Sequence, residues 1–339
     1  VVFDKAQKSI LNKPIYIMQK LHLLIVFVMV FISSCSIEDT PENLPEDEVQ
    51  FVDGTKLIFV SKEEGAKIMG TSDEYSQALS KFDIASRTYN PANNEEQHYL
   101  AFAAAQTQEW EENEITVLKI KILQVKEKIE KLGLKLNFPS EIKLVKSSLQ
   151  EEGGVISYTR TNYIVMKGDV SEEFIIHELF HILTRFNPEK RDELYKTINF
   201  NSSNRISYPD AIKDHIVTNP DAPFLEHTIN LTIDGEQKEA VFILYTGKDY
   251  ESGSFFNQWQ QKLMLVEGGA NSKTPVLANN APILLDFSAA SDLKDKIGTN
   301  TSYTLHPEEI LADHFIILVK PEPASDPAFI EAMKTVLTK

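Results

Sequence analysis

Residues 171–186 read SEEFIIHELFHILTRF, and no other segment limits the fold as much. The segment has no Gly or Pro. Its first residues, Ser171, Glu172 and Glu173, suit an N-cap and the positive end of a helix dipole. Phe174, Ile175, Ile176, Leu179, Phe180, Ile182 and Leu183 then surround the helix with apolar side chains on nearly every side. A helix of that kind has to be buried. Yet it also carries His177, Glu178 and His181. Residues four apart share a helical face, so the two imidazoles can reach one ion, and Glu178 lies within reach of a water on it. Buried polar groups without partners are costly, and a metal ion would supply the partners. A packed helix with hydrogen-bonded histidines is the competing reading, and a third ligand decides between them.

Composition narrows the metal chemistry. The 339 residues include one cysteine, which excludes an internal disulfide and any multi-cysteine metal cluster. A metal site must therefore use histidine and carboxylate. Fifty acidic side chains against 34 basic ones give a net charge of −16, which argues against a nucleic-acid partner. With 42% hydrophobic residues the chain is long and apolar enough for a real core.

The single cysteine has its own context. Leu21 to Ile32 is an apolar run of twelve with one histidine, preceded by Lys20 and followed by Ser33-Ser34-Cys35. The run is too short to span a membrane comfortably, and its flanks are those of a secretory signal. Ile32-Ser33-Ser34-Cys35 resembles a bacterial lipobox, which implies a signal peptide over 1–34 and lipidation at Cys35. Met18 is a natural start, so 1–17 reads as an over-long gene start. Without 1–34 the chain has 30 basic and 49 acidic side chains, a net charge of −19. Residues 35–50 combine Pro41 and Pro45 with a cluster of acids and read as a disordered acidic tether. The implied location is the Gram-negative outer membrane, facing the periplasm or the cell surface.

Periodicity divides the rest into parts of one domain, 51–339. The part 51–135 reads as helical: a helix start at Ser61 with Glu64, a helix over 95–111, and an amphipathic helix over 115–132 closed by Gly133. The part 136–187 holds strands at 142–146, 155–159 and 162–166, then the histidine helix. The strand at 162–166 is expected to line a cleft and pair with an extended peptide. In the part 188–339, Pro188 opens a helix to about 198, and a hairpin turns at Asp234-Gly235. Helices are expected near 255–266, 306–318 and 327–337. The expected class is α+β in two lobes: a small sheet, the histidine helix, then a mainly helical lobe with one hairpin.

The H-E-L-F-H segment resembles the zincin metallopeptidases, whose mark is H-E-x-x-H. Thr184 and Asn187 stand where the metzincin branch needs Gly and His, which removes that branch. The gluzincin branch adds a glutamate from a later helix within E-x-x-x-D. HPEEILADHF over 306–315 supplies Glu309 and Asp313 in that pattern, at a longer spacing than in many gluzincins. The segment Thr218-Asn219-Pro220-Asp221-Ala222-Pro223 and the residues before Glu309 add to this, and much of the chain is similar to zinc-binding metallopeptidase lipoproteins of Gram-negative bacteria. The resemblance implies a zincin-like fold and one Zn2+ per chain on His177, His181 and Glu309. It implies Asp313 as the partner that orients His177 and Glu178 as general base in the hydrolysis of a peptide or protein substrate. His306, Tyr303 and Tyr245 are candidates to stabilise the transition state. A different class stays open: a surface lipoprotein that binds zinc and serves as a binding or adhesion module.

Overall fold

The computed structural model describes residues 47–339. The signal segment, Cys35 and most of the acidic tether lie outside the described residues. No helix among the described residues is long and apolar enough to cross a membrane.

The chain starts with strands β1 (Glu48–Gln50) and β2 (Lys56–Phe59). Helices α1 (Lys62–Met69), α2 (Glu74–Ala78), α3 (Lys81–Arg87), α4 (Glu96–Ala105) and α5 (Glu112–Leu132) follow. Strands β3 (Glu141–Lys146), β4 (Ser157–Arg160) and β5 (Tyr163–Met166) complete a five-stranded sheet of order β1-β2-β3-β5-β4. Strands β2, β3 and β5 are parallel, and β1 and β4 are its antiparallel edges. Two sequence expectations are corrected here. Glu48–Gln50 belong to the sheet rather than the tether, because Val49 is buried and the strand pairs with β2. The part 51–135 contributes strand as well as helix, since Leu57 and Phe59 align with Ile142 and Leu144 of β3.

Alternation along the strands buries both faces of this sheet. Leu57, Phe59, Leu144, Ile164 and Met166 face α5 and the histidine helix, while Val145, Tyr158, Tyr163 and Val165 pack toward α1 and α4. The long α5 is stopped by Gly133 in the left-handed region at φ 63°, as the sequence suggests.

The histidine helix α6 (Glu172–Phe186) packs against β4, α5 and α7 (Pro188–Lys196). Ile175, Ile176, Leu179, Phe180, Ile182 and Leu183 are all fully buried. At roughly 1.5–3 kcal/mol each, they hold the helix where its polar residues must leave water. Ser171 occupies the N-cap position without a side-chain bond.

The second half departs most from expectation. Strands β6 (Phe200–Ile206), β7 (Leu225–Ile233), β8 (Glu236–Tyr245), β9 (Gln260–Glu267) and β10 (Thr274–Pro275) form an antiparallel sheet in the order β10-β9-β8-β7-β6. After the two-residue strands β11 (Leu277–Ala278) and β12 (Ala281–Pro282), β13 (Leu284–Leu285) adds to β9. The lobe expected to be mainly helical with one hairpin is thus built on a sheet. The hairpin is present, with Asp234 and Gly235 at φ 53° and 79°, both in the region that a tight hairpin turn needs. The helix expected near 255–266 is instead β9, which pairs with β8 from Gln260↔Tyr245 to Glu239↔Val266. Its apolar run Leu263–Val266 fits a helix or a strand equally, and long-range pairing decides.

Three further helices end the chain: α8 (Leu293–Ile297), α9 (Pro307–Val319) and α10 (Pro327–Leu337). Helix α9 lies along α6, with the rings of Phe180 and Phe315 5.6 Å apart. The architecture is mixed α and β with several sheets, compatible with α+β. One apolar cluster runs from Leu57 and Ile164 through Phe180 and Phe315 to Ile229 and Leu263, so the two halves share a core.

Candidate metal centre

Helix α6 presents His177 and His181 toward the first turn of α9. The two rings meet edge to face with centroids 4.6 Å apart. His306 caps α9, its Nδ1 accepting from the Glu308 N–H at 3.1 Å, and Pro307 takes the first helical position. That start turns the next two side chains, Glu308 and Glu309, into the core, where both are buried.

Glu309 faces both histidines. Its Oε2 is 3.0 Å from His177 Nε2 and 3.7 Å from His181 Nε2. Its Oε1 accepts from Asn219 Nδ2 at 2.7 Å. Four ligand atoms placed tetrahedrally at 2.0–2.2 Å from an ion lie about 3.4 Å apart, so these separations suit one ion. Among the described residues His181 Nε2 is buried without a hydrogen-bond partner, so on losing its proton it offers a lone pair to a metal. The three residues thus fit an ion that takes nitrogen and oxygen donors.

Each imidazole is held from behind. His177 Nδ1 lies 3.3 Å from Asp313 Oδ1, and Thr301 Oγ1 donates to Asp313 Oδ2. This is the place that Asp313 has in the sequence pattern. His181 Nδ1 lies 3.0 Å from Glu308 Oε1. Thr184 Oγ1 and Tyr195 OH donate to the same carboxylate. Consecutive glutamates therefore face opposite nitrogens of one ring, Glu308 at 3.0 Å from Nδ1 and Glu309 at 3.7 Å from Nε2. Sequence reasoning passed over Glu308, because no acid stands four residues after it.

Charge follows geometry. Burial opposes the imidazolium of His177, but its bonds to Asp313 and Glu309 prevail and push it well above the ordinary histidine range. Burial likewise opposes a charged His181, and the acids Asp221, Glu309 and Glu308 together raise it to about 9. Burial works against the Glu309 carboxylate, yet the two histidines hold it down at about 2.

Glu178 is buried beside this cluster. Its Oε1 accepts from Ser157 Oγ of β4 at 2.7 Å, and its Oε2 has no hydrogen-bond partner among the described residues. Burial, helped by the negative charge of Asp221, pushes its carboxyl up to about 7. A carboxylate so placed suits proton transfer near neutral pH.

The other sequence candidates separate. Tyr303 is close, its ring 6.2 Å from that of His177, and burial pushes its phenol well above the usual range. His306 spends its Nδ1 on the helix cap, and burial lowers it to about 4, so its ring is neutral. Tyr245 ends β8 and packs in a different cluster, with Ile206, Ile216 and Met264. The strand expected to pair with a peptide, 162–166, is β5 in the sheet interior, with β3 and β4 on its two sides. Among the described residues the edge strand beside α6 is β4, whose Thr159 N–H donates to Asp221 Oδ1 at 2.7 Å.

Besides Glu308, the structure adds Asn219, Asp221 and Ser157 to the site. Asp221 lies on the connection between β6 and β7, and Arg185 NH2 donates to its backbone oxygen at 3.2 Å. Asn219 and Asp221 lie in the segment 218–223 that takes part in the resemblance, but only the packing of α6 on β4 and of the loop on both brings them and Ser157 to the histidines. Comparison with family models, curated proteins and solved structures finds no match for this chain.

Proposed function

We propose that this chain is a zinc-dependent peptidase of zincin-like fold, of the gluzincin type, anchored to the outer membrane through lipidated Cys35. The observation that carries it is the convergence of His177 Nε2, His181 Nε2 and Glu309 Oε2, with a buried carboxylate, Glu178, beside them. A mixed sheet whose antiparallel edge strand β4 bonds to Glu178 through Ser157 supports the fold reading.

In this proposal His177, His181 and Glu309 hold the ion, and Asp313 and Glu308 fix the two rings. Zinc held there would supply polarisation of a scissile carbonyl and activation of a water near neutral pH. Glu178 takes a proton on Oε2 while Ser157 steadies Oε1, then returns it to the leaving amine. Tyr303 is the nearer phenol to the histidines and serves as hydrogen-bond donor to the developing oxyanion. The alternative of a zinc-binding adhesion module has no use for a buried, unbonded carboxylate oxygen at this spot.

The test compares peptide hydrolysis and zinc content of the wild type with those of Glu178→Gln. Wild-type cleavage that is lost in the variant while zinc is retained supports the proposal. Zinc bound with no cleavage dependent on Glu178 overturns it in favour of the binding module.

A further inference from the structure

We propose that Asn219 is a positioning residue for Glu309: its amide holds one carboxylate oxygen, so that Glu309 offers a metal only the other and a place on the ion stays open. The inference deepens the zinc peptidase reading above and rests on it.

A glutamate can hold an ion by one oxygen or by both. Here the two oxygens face different ways. Oε2 lies 3.0 Å from His177 Nε2 and 3.7 Å from His181 Nε2. Oε1 accepts from Asn219 Nδ2 at 2.7 Å. The carboxylate is buried, so a partner for Oε1 has to come from the protein.

The amide of Asn219 has one way round. Its Oδ1 accepts from the Asp221 N–H at 3.0 Å, which leaves the NH2 end to reach Glu309. A reversed amide would set an oxygen against the carboxylate and an NH2 against a backbone N–H, and would lose both bonds.

The backbone on each side of Asn219 is fastened. After it, Asp221 Oδ1 accepts from Thr159 N at 2.7 Å and from Thr159 Oγ1 at 2.6 Å on β4. Before it, Thr218 N and Oγ1 donate to Asp83, and Arg87 NH2 donates to the Thr218 carbonyl at 2.7 Å. Arg87 is itself held, pairing with Asp83 and donating from Nε to Glu152 at 2.8 Å. Tyr75 and Tyr99 donate to the other oxygen of Glu152, at 2.6 and 2.8 Å. Asp83, Arg87 and Glu152 are all buried. A buried charge network rooted in α3 therefore sets the loop, and the loop sets the carboxylate on α9.

The count of donor atoms follows. His177 Nε2, His181 Nε2 and Glu309 Oε2 are three, and a catalytic zinc site keeps its fourth place for water or substrate. A second oxygen from Glu309 would crowd that place.

The experiment loads the full chain with cobalt(II) and records its visible absorption, which is several times stronger for a four-coordinate ion than for one of higher coordination number. Asn219→Ala removes the amide. Asn219→Asp keeps the size and the acceptor for the Asp221 N–H but has no donor for Glu309. Thermal unfolding of the metal-free proteins identifies the folded variants, and Asn219→Asp decides alone if Asn219→Ala does not fold. Strong bands are expected for wild type and clearly weaker ones for the variants. Zinc affinity, read by chelator competition, should fall roughly 10–100-fold. A wild-type spectrum in the folded variants overturns the inference whether or not affinity falls, since weaker binding alone would mean a merely structural role. If peptide cleavage then still depends on Glu178, the peptidase reading stands without it. A wild type that binds neither zinc nor cobalt overturns both.

Discussion

Replacing Glu308 with Gln removes the charge behind His181 and leaves the volume unchanged. The carboxylate accepts from three buried donors: His181 Nδ1 at 3.0 Å, Thr184 Oγ1 and Tyr195 OH. An amide offers one acceptor oxygen in place of two and puts an NH2 donor against a donor. Loss of an outer partner of a ligating histidine costs roughly 10–100-fold in metal affinity, or about 1.4–2.8 kcal/mol. Glu308 is 2% exposed, so the upper part of that range, roughly 30–100-fold, is expected for Glu308→Gln. Asp313 sits 3.3 Å from His177 with its side chain 27% exposed, so Asp313→Asn should lose only about tenfold. Chelator competition reads both affinities, and urea unfolding of the metal-free variants separates metal loss from misfolding. Wild-type affinity in Glu308→Gln, or a larger loss in Asp313→Asn, would refute the assignment of Glu308 as the residue that fixes His181.

Two further outcomes follow from the charges. His177 and His181, both raised above the ordinary histidine range, keep their protons at neutral pH, and zinc must displace them, so apparent affinity should rise about tenfold per pH unit for each proton displaced, with the His181 share of that rise ending above pH 9. The metal-free protein should meanwhile lose stability from pH 6 to 9.5, because the raised His181 and Glu178 stabilise while protonated and lose that contribution as pH passes about 9 and about 7. Melting temperature across that range checks the sign. Asp83→Ala removes one of the two carboxylates paired with the buried Arg87, leaving Glu152, and frees Thr218, so unfolding free energy should fall by about 3 kcal/mol, the lower end for a broken buried pair. A loss below 1 kcal/mol would mean that Asp83 does not anchor the loop.

The histidine helix was legible because its signal is local. Six large apolar residues around two histidines and a glutamate demand burial and then partners, and 172–186 folds that way. Glu309 and Asp313 were legible through the spacing of a resemblance, and the structure brings both to His177. Glu308 was not, because its role depends on which side of the His181 ring α9 approaches. Asp221, Asn219 and Ser157 reach the cluster only through contacts between α6, β4 and the β6–β7 loop. The second sheet was missed for a related reason. Leu263-Met264-Leu265-Val266 has no periodicity of its own, and pairing with β8 makes it a strand. The exposed Val117, Ile120 and Leu123 of α5 show the opposite limit, apolar residues on the outer face of a correctly expected helix.

Zinc content after dialysis of the purified wild type and of Glu309→Ala tests the metal centre most directly. One zinc per wild-type chain, and none on a folded Glu309→Ala chain, is the expected result. A wild type without zinc, or a variant that keeps its zinc, would contradict the assignment of His177, His181 and Glu309 as the ligand set.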